Sequence, residues 1–364
     1  MKDKTKNIIQ TIIFIFIIIL FLILNLIKKD EKISLSERRN LVSFSEVFED
    51  KSLTEIGKRF DDYATDQFVF RDFFRNIKTN TEINFFRKKD YNKLFVIEDN
   101  IYKIEYPLKE KSVKNAAEKI NFIKEKYLEN MEVYYAIIPD KSFYLDEKYG
   151  YIKLDHERLV EIMQENIENI KYIELSDCFN KNSYYKTDLH IKQEEYEKAV
   201  NKISKSMEKE EIDFSKFEKK KITDFYGTYY GQIMKDVGKD EIICLIDENT
   251  KNSVTYNLEN NQKREIYDLE KLNSKDLYDI FLSGAVPIIE ITNNTQKNND
   301  ELIIFRDSFA SALAPLLLKN YSKITLIDIR YVSTDILDKF IKFEKQEVLF
   351  LYNDLILNNS LILK

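Results

Sequence analysis

Residues 8–27, IIQTIIFIFIIILFLILNLI, are apolar at every position except Gln10, Thr11 and Asn25. A helix of about twenty residues covers roughly 30 Å, the thickness of a bilayer's hydrocarbon core. The run therefore reads as a transmembrane helix that stands outside any globular fold. Lys2, Lys4 and Lys6 precede it, and Lys28 and Lys29 follow it. No small-residue cleavage site of the Ala-x-Ala kind comes next, so an uncleaved anchor is expected rather than a removed signal peptide. Lysines at both ends weaken the charge asymmetry that sets orientation. The expected arrangement is a short tail, 1–7, inside; the anchor, 8–27; a juxtamembrane linker, 28–45; and a folded domain, 46–364, outside the cytoplasm. Within that domain, 46–90 reads as a helical lead-in.

The 364-residue chain is 44% hydrophobic, enough for a sizeable core. Charged residues make up 33% and the net charge is −6, which gives no attraction to a polyanion, so no nucleic-acid partner is expected. Six glycines carry no P-loop or dinucleotide fingerprint. The two cysteines, Cys178 and Cys244, form no CxxC or Cys/His cluster, so neither a metal nor a cofactor is expected. Two unpaired buried thiols are the expected state, with a single disulfide as the alternative.

Short apolar runs alternate with amphipathic stretches from residue 90 onward. KLFVIEDNIYKI reads as a hairpin turning at Asp99-Asn100, and 110–129 as a helix. Val133 to Ile138 is an almost continuous apolar run ending at Pro139, the signature of a strand buried on both faces. Helices over 155–169 and 192–208 flank another strand in KYIELSDCF. DELIIFRDSFASALAPLLLKNYSKITLIDIRYV then gives strand, turn, helix, strand, and EVLFLYN a last strand. This alternation argues for an α/β domain with a mainly parallel sheet.

Chemistry concentrates in two places. In IIFRDSFASAL, Ser308 lies in the turn between a strand ending near Phe305 and a helix beginning near Phe309. Ligands bind at the carboxyl ends of strands in open α/β sheets, and free amides at a helix start stabilise an oxyanion. The plainer reading makes Ser308 or Asp307 a helix cap. In YYKTDLHIKQEEYEKAV, His190 follows Asp188 by two residues. A serine hydroxyl needs a base, and histidine serves best near neutral pH. The carboxylate of Asp188 is placed to hold one ring nitrogen. The plainer reading is a polar turn before a helix. The other histidine, His156, starts a helix and reads as a solvated first-turn residue.

These segments resemble a known group. SYYKTDLHIKQEEYEKA is similar to the Tyr-x-Thr-Asp-x-His-Trp block of the DHHW family and of the alginate O-acetylation proteins AlgJ and AlgX. FRDSFASALAPLLLKNYSKITLIDIRYV resembles their second block, in which Asp-Ser-Phe carries the nucleophile and an Asp-x-Arg-Tyr segment follows. DDYATDQFVFRDFF, AIIPDKSFYL and DFYGTYY resemble further elements in the same order, so the likeness spans about 45–335. The chain departs from the pattern at Leu189 and Ile191, where the family name implies histidine and tryptophan. The resemblance implies an SGNH-hydrolase-like three-layer α/β fold and a triad of Ser308, His190 and Asp188. Arg306 and Tyr185 are the expected substrate-binding residues, with a surface or salt-bridged arginine as the alternative for Arg306, and Gly284 is a candidate oxyanion-hole glycine, with a loop turn as its plainer reading. The implied function is O-acetylation of a cell-surface polysaccharide, with a membrane-bound O-acyltransferase as partner. A carbohydrate acetyl-esterase using the same residues, or a non-catalytic glycan-binding or assembly factor, are the alternatives.

Overall fold

The computed structural model describes residues 2–49 and 52–364. Two compact units emerge, Met1–Asn92 with Tyr230–Asp236, and Lys93–Tyr229 with Val237–Lys364. No shift in composition marks the return of 230–236 to the first unit.

In the first unit, α1 (Lys2–Ile27) is long and apolar enough to cross a membrane, and its apolar window is not buried by the protein. A minimal pair, β1 (Ile33–Ser34) and β2 (Arg39–Asn40), follows. The expected helical lead-in takes shape as α2 (Leu53–Asp66) and α3 (Arg71–Asn80), extended by a wider π turn at Thr81–Phe85. Polar ties hold it together. Asp66 accepts from Arg39 and from the Val42 amide at 3.0 Å, and Arg71 pairs with Glu37 at 2.5 Å. The short helix α7 (Tyr230–Ile233) joins here, where a Cβ on Gly231 would collide with the Ser36 carbonyl.

The second unit opens with a hairpin of β3 (Leu94–Ile97) and β4 (Asn100–Lys103). Its turn is Glu98-Asp99, one residue earlier than expected, with both residues left-handed at φ 47° and 59°. That is the twist a two-residue hairpin needs. After α4 (Glu110–Tyr127) come β5 (Val133–Ile138), α5 (His156–Asn166), β6 (Lys171–Ile173) and α6 (Glu197–Ser206). Next are β7 (Glu218–Phe225), β8 (Asp240–Ile246), α8 (Glu248–Asn252), β9 (Ser253–Asn257), β10 (Gln262–Arg264) and β11 (Ile288–Asn293). The chain ends through β12 (Glu301–Arg306), α9 (Phe309–Leu313), β13 (Lys323–Ile327), β14 (Glu347–Asn353) and α10 (Asp354–Leu357).

Among the described residues, one eight-stranded sheet runs in the order β10-β9-β11-β13-β12-β14-β5-β6. From β13 to β6 every neighbouring pair is parallel, and β11, β9 and β10 add an antiparallel edge. Side chains alternate between two cores. Tyr134, Ala136, Ile138, Leu302 and Ile304 join the face covered by α6 and the turns after Ser308. Val133, Tyr135, Ile137, Ile303 and Phe305 join the face covered by α4 and α5. Burial on both faces is why these strands read as unbroken apolar runs. The result is the α/β fold with a mainly parallel sheet that the alternation implied, in the three layers that the resemblance implied. β12, β14 and β5 are adjacent, so their carboxyl ends open onto one rim.

Candidate active site

Ser308 follows β12 on that rim and is the residue immediately before α9. Its turn is fixed by Asp307, whose Oδ1 accepts from the Phe309 amide at 2.9 Å and whose Oδ2 accepts from the Asn353 amide at 2.7 Å. Asn353 in turn donates to the carbonyls of Ile138 and Pro139 at 2.9 and 3.2 Å. The ends of β12, β14 and β5 are thus laced together beneath the serine. Burial pushes the Asp307 carboxyl above its ordinary range. The Phe309 amide is consumed by this cap.

His190 arrives from a different part of the chain. Tyr184 and Ile191 form an antiparallel bridge, and the Tyr185 amide donates to the His190 carbonyl at 3.0 Å. Inside this closed loop, Asp188 Oδ1 accepts from the His190 amide at 3.0 Å, an Asx turn. The same oxygen lies 2.6 Å from His190 Nδ1, and His190 Nε2 lies 2.8 Å from Ser308 Oγ. The polar turn and the Asp-x-His pair are therefore one structure. Asp188 is completely buried, and His190 is 5% exposed.

Three further groups support this chain of hydrogen bonds. The Thr228 amide donates to Asp188 Oδ2 at 2.6 Å, and the Gly227 amide to Thr187 Oγ1 at 2.8 Å. A Cβ on Gly227 would overlap Asp188, so only glycine lets the Phe-Tyr-Gly-Thr loop approach. Asp240 receives the amides of Lys186 and Thr187, each at 2.7 Å. Lys141, fully buried, donates to the carbonyls of Tyr185, Ile101 and Lys186 at 2.6, 3.0 and 3.1 Å. Burial draws its ammonium down to about 7 against the opposing pull of Asp240 and Asp188.

Over the imidazole lies Tyr278, its ring centroid 3.8 Å away and tilted by 8°. Pattern reasoning did not find Tyr278, Asp240 or Asn353, because each lies far along the chain from the residue it supports. The motif likeness had flagged the segments of Lys141 and Gly227, without their roles. Leu189 packs against the core and Ile191 is completely buried within it. The two positions that depart from the Asp-His-His-Trp pattern therefore take part in packing.

Arg306 and Tyr185 are enclosed. Arg306 is 1% exposed, and its guanidinium donates to Ser311 Oγ at 2.8 Å and to the carbonyls of Val286 and Gly284 at 3.2 and 3.4 Å. Gly284 is a turn residue at φ +79° whose own amide donates to the Phe281 carbonyl. Tyr185 has no exposed surface and meets Phe225 edge-on at 5.0 Å. Arg306 in this position ties a loop to the strand end. Arg306→Met is expected to lower unfolding stability by about 3 kcal/mol, since it strands several buried acceptors. Its Ser308–His190–Asp188 geometry is expected to stay unchanged, read as an unaltered rate of Ser308 labelling by a fluorophosphonate probe. Urea denaturation and probe labelling check the two halves.

The other histidine differs from expectation. His156 is buried, not solvated, and its Nδ1 lies 2.8 Å from Asp354 Oδ1. The start of α5 packs against α10, a contact that the local sequence does not display. Burial pulls the His156 pKa down, but the Asp354 charge more than offsets it, and the value ends above the ordinary 6.5. A raised folded pKa means that the pair's stabilisation is complete below 6.5 and is lost as pH rises through the folded value. His156→Gln is expected to cost about 3 kcal/mol in acid, because it leaves a buried carboxylate without its partner. That cost is expected to shrink with rising pH in paired melts of wild type and variant.

Strand order and rim define the class as a three-layer α/β fold with a mainly parallel sheet, and Ser308, His190 and Asp188 form one hydrogen-bonded series on its rim. Comparison with solved structures gives particular relatives. A DHHW family protein from Eubacterium siraeum superposes with a TM-score of 0.60 at 19% identity, covering 75% of this chain and 95% of that one. Bacillus cereus PatB1, solved with a sulfonyl adduct, superposes at 0.55 and 19% identity, covering 72% and 95%. The O-acetyltransferase domain of Pseudomonas putida AlgJ stands further off, at 0.44 and 8%, covering 73% and 92%. At these identities the likeness to the first two establishes the fold. No protein-family model matches the chain, and no curated protein matches it in sequence.

Proposed function

We propose that the chain is a membrane-anchored acyl-transfer enzyme that O-acetylates a polysaccharide outside the cytoplasm. The observation that carries this reading is the continuous series Asp188 Oδ1, His190 Nδ1, His190 Nε2, Ser308 Oγ, with spacings of 2.6 and 2.8 Å. The motif likeness to the DHHW and alginate O-acetylation proteins gives the reaction class, and the shared fold supports it.

In this mechanism His190 Nε2 takes the Ser308 proton as Oγ attacks the acetyl carbonyl of a donor. The Oγ–C bond forms and the carbonyl π pair moves onto oxygen. Collapse breaks the bond to the donor's leaving group, which receives the proton from His190. The acetyl-Ser308 ester is then attacked by a sugar hydroxyl, with His190 again taking the proton and returning it to Oγ. Asp188 holds the ring by Nδ1 and stabilises the imidazolium formed in each half. Tyr278, stacked on the ring, and the Thr228 amide, bonded to Asp188, keep both partners in register. We place Arg306 and Tyr185 as supports of the site rather than as substrate contacts.

The test uses a chromogenic acetyl ester as donor, with and without cell-wall glycan as acceptor. Acetyl-Ser308 trapped by acid quench and located by peptide mass spectrometry is the expected result. Glycan that raises turnover and becomes acetylated favours transfer. Release of acetate alone means that water is the acceptor, as in an esterase. Absence of any covalent species at Ser308, with glycan binding intact, would leave the non-catalytic role standing.

A further inference from the structure

The first unit carries an aromatic surface that nothing in the catalytic reading uses. At the corner between α2 and α3, Phe68 stacks on Phe21 of α1 with centroids 5.8 Å apart and planes 7° from parallel. Phe74 approaches the same ring at 5.9 Å. The Val69 amide between them donates to Asn25 Oδ1 at 2.8 Å, which meets the polar side chain near the end of the apolar helix. The corner is therefore clamped to α1 at a defined height. At roughly 1.5 Å per residue, Phe21 lies about 9 Å from the helix end at Ile27.

Outward from this clamp the surface stays apolar. Phe70 is 59% exposed and Phe73 61%. Phe73, Phe74 and Ile77 share one face of α3, and Phe70 stands immediately before its first turn. The two arginines of α3 lie off this face, since Arg71 and Arg75 both pair with Glu37, and Lys78 borders it in the last turn. Phe70 has φ 58°, a left-handed conformation that a bulky residue adopts only at a cost. The chain accepts that strain while leaving the ring unburied by protein. Between α1 and α2 runs an apolar groove of about 570 Å³, lined by Ile17, Phe21, Phe60, Ala64 and Phe68 among others. One of its walls is the segment that reads as spanning the bilayer.

We infer that the α2–α3 corner is a membrane-interface anchor: Phe68, Phe70 and Phe73 enter the outer acyl region, and a phospholipid acyl chain lies in the groove beside α1. The inference rests on the reading of α1 as a transmembrane helix. Its depth is the consequence of that reading, because a ring stacked on Phe21 shares Phe21's level in the bilayer. A depth of about 9 Å falls within the 5–10 Å at which interfacial aromatic faces settle. Such a corner holds the first unit against the membrane rather than letting it swing on a single helix.

The chain contains no tryptophan, so one introduced tryptophan is its only indole reporter. Full-length Phe70→Trp and Ile17→Trp proteins are reconstituted separately into phosphatidylcholine–phosphatidylglycerol vesicles, with and without acyl-chain bromine, placed near the carbonyl end for Phe70→Trp and near the chain terminus for Ile17→Trp. The Phe70→Trp indole is expected to emit in the blue and to lose about half its intensity to the brominated lipid. Emission typical of water with no quenching would overturn the proposal. Blue emission without lipid quenching would overturn it too, and would assign the face to a protein partner or a second copy. The Ile17→Trp protein separates the two readings. Quenched Ile17→Trp with unquenched Phe70→Trp sinks the interface corner alone, whereas failure of both sinks the anchor itself.

Discussion

Ser308→Ala is expected to lower acetyl transfer about 10⁴-fold while leaving the fold and glycan affinity intact. Ser308 Oγ has one arranged partner for its proton, His190 Nε2 at 2.8 Å, and Asp188 completes the series behind it. Removing the hydroxyl deletes the nucleophile and leaves its surroundings unchanged, because the turn is held by Asp307 rather than by Ser308. The helix begins with no side-chain cap from Ser308, so loss of the hydroxyl removes no cap. The measurement is initial rate with the acetyl-ester donor, together with labelling by a fluorophosphonate probe. Wild type is expected to take up the probe at Ser308, and the alanine variant to take up none. Equal rates in the two proteins would remove Ser308 from the mechanism.

The second large effect belongs to a residue with no chemistry of its own. Gly227→Val is expected to reduce turnover about 10³-fold, approaching the loss of about 10⁴ expected of Asp188→Asn, with far less loss of donor binding. A side chain at 227 overlaps Asp188 directly, and the neighbouring Thr228 amide is one of the groups that orient its carboxylate. Pushing Asp188 aside frees the imidazole to rotate and removes the charge that stabilises it when protonated. Asp188→Asn keeps the volume but exchanges an acceptor oxygen for a donor amide, which selects the wrong ring tautomer. The two variants should therefore fail in the same step, seen as slow probe labelling of an otherwise folded protein. Circular dichroism melts separate this from general unfolding. Normal labelling in folded Gly227→Val would break the link between the loop and the site.

The candidate site was legible in part because its local pieces carry local signals. A serine directly after an apolar strand, and a histidine two residues after an aspartate, are visible without a fold. The Asp188–His190 turn is the instructive case, since its two competing readings describe the same atoms. One oxygen caps the turn and binds the ring. Residues set by packing were less accessible. His156 read as solvated because its own helix start is polar, and only the arrival of α10 buries it against Asp354. Arg306 and Tyr185 read as substrate contacts because they lie close in sequence to Ser308 and Asp188, whereas the folded chain encloses both, Arg306 against Ser311 and two loop carbonyls and Tyr185 against Phe225. Leu189 and Ile191, one residue to either side of His190, turn to the core while His190 turns to the serine.

By itself the sequence determined the elements whose physics is local. The apolar run of α1, the doubly buried strands β5, β12 and β14, and the turn chemistry at Asp307 and Asp188 all follow from periodicity and side-chain reach. The tertiary structure decided everything that depends on strands becoming neighbours. It placed β14 beside β12 so that Asn353 holds Asp307, brought the Gly227 loop onto Asp188, and laid Tyr278 over His190. Loop closure over long separations leaves no periodic trace in a single chain, because its free energy comes from contacts formed only after the sheet is assembled.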